Sequence, residues 1–146
     1  MRFNFRNSLF LLTLILAPFC VSISAQGQAQ QEDSLVRHYH PATGKLHFLG
    51  GVNHSPLGLP KGVTPDLEDP LQALRLYGAE FGIRYPEVQL QLLRTEKCNV
   101  GQIHPTFQQV YRGVEVLTGN IKVHLKADGT PLSINGDFYS VPKKLE

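Results

Sequence analysis

The run Ile121-Lys122-Val123-His124-Leu125-Lys126, followed almost at once by Asp128-Gly129, most limits the folds open to this chain. Apolar and polar residues alternate with period two, so Ile121, Val123 and Leu125 share one face of an extended strand. Lys122, His124 and Lys126 share the other, turned toward water. Asp-Gly is the strongest short hairpin signal, since both central positions of the favoured turn take positive φ, which Gly accepts. A partner strand follows over Leu132 to Phe138, with Leu132, Ile134 and Phe138 inward. A ribbon that is apolar on one side only must be covered by another element.

The cover is written upstream. Asp66 and Asp69 offer N-cap oxygens, Pro70 suits the first helical position, and Leu71, Leu74, Gly78 and Phe81 recur at helical spacing. This predicts one helix over 70–81, ended by Gly82 and by Tyr85-Pro86, where the residue before a proline is pushed toward extended geometry. So short and narrow a helix needs a sheet to pack on. Val88 to Leu92 and Thr106 to Tyr111 alternate as strands, with Phe107 and Tyr111 on one face and Arg112-Gly113 turning the chain. Adjacent Gln108 and Gln109 would point to opposite faces, so at most one should face the core. Nearer the start, Leu35–His40 and Lys45–Leu49 flank Pro41-Ala42-Thr43-Gly44 as an N-terminal hairpin, and the Gly- and Pro-dense 50–65 stretch is an irregular connector. The class expected is α+β, with one helix packed on a curved antiparallel sheet.

The first 25 residues are set apart: Arg2 and Arg6 precede an apolar run over Leu9 to Ala17, with small residues at Ser22, Ser24 and Ala25. That is the outline of a signal peptide, too short to span a bilayer, with cleavage after Ser24, Ala25 or Ala29 left open. A lipoprotein reading through Cys20 is disfavoured by bulky Phe19 before it. Residues 26–34 read as a disordered linker, 35–65 as hairpin and connector, 66–140 as the main domain and 141–146 as a tail. Loss of the leader takes the 14 basic residues to twelve, equal to the 12 acidic ones. A near-neutral domain does not suit nucleic acid, which selects clustered basic charge. Of the 2 cysteines only Cys98 would remain, so no intrachain disulfide can form and the core alone holds the domain. The chain is expected to be secreted or exported, with no membrane contact after cleavage.

At Gly101-Gln102-Ile103-His104-Pro105-Thr106-Phe107-Gln108-Gln109-Val110-Tyr111-Arg112-Gly113-Val114-Glu115-Val116 the sequence resembles the FTP domain, the propeptide module of fungalysin- and thermolysin-type zinc metallopeptidase precursors. His104, Phe107, Gln108, Gln109, Tyr111, Arg112, Gly113, Val114 and Val116 fall in register with that signature. The likeness runs on through Gly119 to Gly129, with His124, Asp128 and Gly129, and to Ser133-Ile134-Asn135-Gly136. It also takes in the Asp69-Pro70 helix. Pro105 replaces a β-branched residue and should therefore lie at an edge or a bulge; Glu115 replaces the proline of Gly-Val-Pro-Val. The resemblance implies a cystatin-like, propeptide-like fold and a protein-binding role for His104, Phe107, Gln108, Gln109, Tyr111, Arg112, Gly113, Val116, His124, Asp128 and Gly129.

Catalytic chemistry is not written in the chain. There is no His-Glu-x-x-His and no Gly-x-Ser-x-Gly elbow, so no residue is assigned a catalytic role. His38 and His40, with His47 across the turn, suggest a metal pair, but no acid or cysteine completes it, and no metal site is assigned. No cofactor is expected here; zinc belongs to the peptidase domain that such a module accompanies, in cis or in trans. The expected function is inhibitor and folding assistant of a secreted thermolysin-like zinc metallopeptidase, this chain being the N-terminal fragment of such a precursor. The alternative is a free-standing secreted binding module with the same fold.

Overall fold

The computed structural model describes residues 34–140. The leader expected over 1–25, the linker over 26–34 save Ser34, and the tail over 141–146 lie outside the described residues. Strands β1 (Leu35–Tyr39), β2 (Leu46–Gly51), β3 (Leu90–Lys97), β4 (Ile103–Tyr111), β5 (Val114–Leu125) and β6 (Pro131–Gly136) form one sheet. Every neighbouring pair is antiparallel, and the spatial order is β1-β2-β6-β5-β4-β3. Between β2 and β3 lie α1 (Gln72–Tyr77) and the single turn α2 (Pro86–Gln89). The class is α+β, as the patterning predicts.

Pairing gives each face of the sheet its character. Leu49 stands opposite Ile134 and Ile134 opposite Val123. These three, with Ile121 and Phe107, are fully buried and join Ala73 and Leu74 of α1 and Phe81 and Ile83 after it in one core. The opposite face carries a polar row, in which His38 faces Phe48, Phe48 faces Asn135, Asn135 faces Lys122, Lys122 faces Thr106 and Thr106 faces Arg94.

The helix is shorter than its spacing predicts. Regular α geometry holds only over Gln72–Tyr77, and Gly78–Phe81 tightens into a 3-10 turn that ends at Gly82. Neither aspartate caps it: the N-cap position is Leu71, with no side-chain hydrogen bond. The Asp69 carboxylate is instead taken by the Arg75 guanidinium, which holds its pKa below the usual carboxylate range, while Asp66 Oδ1 accepts from the Glu68 N–H at 2.9 Å. Arg75 Nε also donates to Glu87 at 2.6 Å and so ties α1 to α2.

Val88 and Gln89, expected in a strand, belong to α2. Pro86 occupies the start of that turn, where no N–H is needed. Gln89 Oε1 then accepts from the N–H groups of Arg84 and Tyr85, both at 2.8 Å, so the free donors at the turn's start are satisfied and extension waits until Leu90.

Pro105 is also placed against expectation. It lies fully buried in β4, an interior strand, opposite Thr95, and the register breaks fall at Leu92/Arg94 and Gln108/Val110 instead. A proline withholds a single N–H toward one neighbour, and here its ring is on the core face, where apolar surface is wanted.

Candidate functional site

The residues singled out by the sequence gather on β4 and β5, and the hairpin they build is irregular. Gln108 stands opposite Asn120, yet Val110 stands opposite Glu115, so two positions on β4 span five on β5. The extra residues of β5 loop out between Glu115 and Asn120, with Thr118 at φ 64. Bulges of this kind end regular pairing and re-aim side chains. Leu117 at the crest is 89% exposed and Val114 beside the turn is 69% exposed, so this end of the hairpin presents apolar side chains to water.

Gln108 and Gln109 brace the bulge from beneath. Both are buried, where the alternation of a flat strand allows only one. The two do diverge, but the looped part of β5 roofs Gln108, whose Nε2 donates to the carbonyls of Val116 at 2.7 Å and Gly119 at 3.0 Å. Gln109, 1% exposed, pairs with the backbone of Tyr139 like a strand residue: its Nε2 donates to the Tyr139 carbonyl at 2.6 Å and its Oε1 accepts from the Tyr139 N–H at 2.8 Å. Gly119 is where the bulge presses on this amide, since a Cβ there would lie 2.7 Å from Gln109 Oε1.

Arg112 and Gly113 form the hairpin turn at φ 51 and 79. The Arg112 guanidinium lies over the Tyr111 ring, 5.3 Å from its centroid. Val116 is half-buried. Phe107 is buried entirely and serves the core.

The second hairpin is wider than the two-residue turn expected. The Gly129 N–H donates to Lys126 and the Lys126 N–H to Thr130, with Gly129 alone at positive φ, +87. Asp128 stays at negative φ and uses Oδ1 to accept the Thr130 N–H at 2.9 Å, which holds its pKa below the usual carboxylate range.

His104 and His124 come together. Their Nδ1 atoms are 2.9 Å apart, and His124 Nε2 is 2.6 Å from Asn135 Oδ1. His124 was expected to face water but is half-buried, because the neighbouring strands β4 and β6 carry ring and amide against it. Beside it opens a cleft of about 260 Å³, bordered by Phe48, His54, Gln102 and Ser133. Burial holds the His124 imidazole below the ordinary histidine range, helped by nearby His104 and Lys122 and opposed by the bond to Asn135.

The N-terminal histidines do not converge. His38 packs on Phe48 at 5.2 Å between ring centroids, whereas His40 meets His47 edge-on at 6.4 Å, and His47 bonds Asp137 at 3.1 Å. Among the described residues no three His, Cys, Asp or Glu side chains form a metal-sized group. Among the same residues no helix is long and apolar enough to cross a membrane.

Sequence reasoning missed the bulge and Asn135 as the partner of His124. A signal for the bulge was there: Gly119 interrupts a strand pattern, and such a glycine marks a bulge or a close backbone approach. No curated protein matches the chain. Residues 88–138, from the end of α2 through Phe138, match the family model of the Fungalysin/Thermolysin Propeptide Motif.

Proposed function

We propose that this domain is a non-catalytic propeptide module that docks on a thermolysin- or fungalysin-like zinc peptidase, restrains it and assists its folding. The observation that carries the reading is the FTP match over residues 88–138, which spans β3 to β6 and so includes the bulged hairpin. Arg112, Val114 and Leu117 supply the exposed contacts, while Gln108 and Gln109 brace the looped backbone beneath them and Phe107 anchors β4 in the core. Exposed apolar side chains on a braced hairpin suit protein docking, since little order has to be created on binding. A module that binds the folded peptidase and not its unfolded chain stabilises the native state by mass action. Export belongs to the same reading, as do zinc on the peptidase alone and a partner supplied in cis or in trans.

The test is peptide hydrolysis by a panel of thermolysin-like and fungalysin-like enzymes with the purified chain added. Slowed hydrolysis is expected, weakened about tenfold by Leu117→Asp, because a charge at the centre of an apolar contact is costly to desolvate. Unchanged rates across the panel would refute it. The alternative, a free-standing binding module, is favoured by outer strand β3, where Leu92 and Leu93 are 44% and 46% exposed and a peptide could add as a further strand. It predicts binding lost on substitution in β3, with Leu117→Asp without effect.

A further inference from the structure

His104 and His124 meet through the same ring atom, Nδ1 to Nδ1. Two bare lone pairs 2.9 Å apart would repel, so one nitrogen carries a hydrogen and the other accepts it. Asn135 decides which. Its Oδ1 can only accept, so neutral His124 carries its hydrogen on Nε2 and leaves Nδ1 as the acceptor. His104 must therefore donate from Nδ1. A first proton then has a place to go, on His104 Nε2, with every bond intact. A second can go only to His124 Nδ1, where it would set one N–H against another.

We propose that this pair accommodates one proton but not two, and so forms an acid-sensitive lock joining β4, β5 and β6 in the middle of the sheet. The charged neighbours come from β3 and β5. From β3, Glu96 stands opposite His104 in register. Glu96 is also held by Arg94 at 3.2 Å and by Lys122 of β5 at 3.4 Å. Lys122, two residues from His124, opposes a charge on that ring. From β6 the neighbours are uncharged Asn135 and Ser133, and from β2 Phe48 and Gly50. His54 borders the cleft beside His124, and His38 of β1 lies further off against Phe48.

The direction with pH follows. Unfolded, both rings accept protons freely near the ordinary value of about 6.5. Folded, the pair resists the second proton, as the lowered pKa of His124 also indicates. The unfolded state therefore binds about one proton more below about pH 6.5, and stability falls as pH drops from there through the lowered value. One proton of difference raises the unfolding equilibrium constant by up to about tenfold per pH unit. If the domain restrains a peptidase, acidification is a signal for release. That consequence rests on the propeptide reading; the lock itself does not.

Two measurements on the chain alone test it. Ring-nitrogen NMR of the labelled wild-type chain at pH 8 should show His104 with hydrogen on Nδ1 and His124 with hydrogen on Nε2. Both rings protonated on Nε2 overturns the proposal. Urea unfolding between pH 8 and 5 should show a steep loss below about 6.5 that His124→Gln flattens by up to about tenfold per unit. His104→Gln, whose amide can donate to neutral His124 through Nε2 or turn to accept from protonated His124 through Oε1, should flatten it likewise and serves if the first variant does not fold. A slope unchanged by both substitutions refutes the lock, whatever the chain does to a peptidase. Failure to slow any peptidase, with the slope as expected, refutes the propeptide reading alone.

Discussion

Replacing Gln109 by Leu tests whether a side-chain amide can do the work of a missing strand. The side chain is 1% exposed, and its two bonds, 2.6 and 2.8 Å, hold both backbone groups of Tyr139. Leucine fills a similar volume, so little cavity arises and the loss is that of the hydrogen bonds. Each contributes about 0.5–1.5 kcal/mol net, so the pair is worth about 2 kcal/mol. Tyr139 is exposed enough for water to satisfy its freed groups, which keeps the cost from rising toward the full penalty for stranded polar atoms. A second anchor limits the damage: the Asp137 N–H still donates to the Asn120 carbonyl at 2.9 Å, so buried Phe138 stays docked. Urea unfolding should show the midpoint falling with no change in slope, and hydrogen exchange should quicken at Tyr139 but not at Asp137. A stability within about 0.5 kcal/mol of wild type, with unaltered exchange at Tyr139, would refute the assignment, since that margin is what surface substitutions produce.

Three further substitutions probe the same architecture. Gly119→Ala puts a Cβ 2.7 Å from Gln109 Oε1 and should cost about 1–3 kcal/mol by thermal or urea unfolding; a neutral result would mean the bulge is pliant. Gly129→Val combines φ +87 with a Cβ 3.3 Å from Leu67 and Pro65 and should lower the melting temperature by several degrees. Thr106→Val should be neutral or stabilise by about 1 kcal/mol, because the buried Thr106 hydroxyl has no hydrogen-bond partner among the described residues and valine keeps the strand-favouring shape; a clear loss of stability would show that the hydroxyl is satisfied in solution.

Much of the ribbon was legible because period two has a single solution. Ile121, Val123 and Leu125 are buried as their alternation requires, and Ile134 and Phe138 join them. Leu132, expected inward, is instead half-buried beside the His124 cleft, because the register shifts there and sets Pro131 opposite Leu125. Where the pattern failed, a polar side chain had taken over a backbone task. Gln89 satisfies the N–H groups ahead of it and turns an apparent strand into α2, and Gln109 adopts Tyr139 as a ladder partner. Such substitutions depend on which carbonyl or N–H is left free in three dimensions, which composition and spacing do not contain. The histidine pair was hidden for another reason. His124 read as an outward polar position and His104 stood out only through the family resemblance, and only the cross-strand register brings the two rings together.

The sheet's strand order places β2 against β6, with Leu49 beside Ile134 and Phe48 beside Asn135. Those partners lie at opposite ends of the domain's sequence, so during synthesis β1 and β2 emerge from the ribosome long before the strand that receives them. Until β6 is made, the first two strands have only each other as sheet partners. Closing so large a loop is slow in comparison with local pairing, so the sheet is continuous only once Pro131–Gly136 has joined β2 to β5.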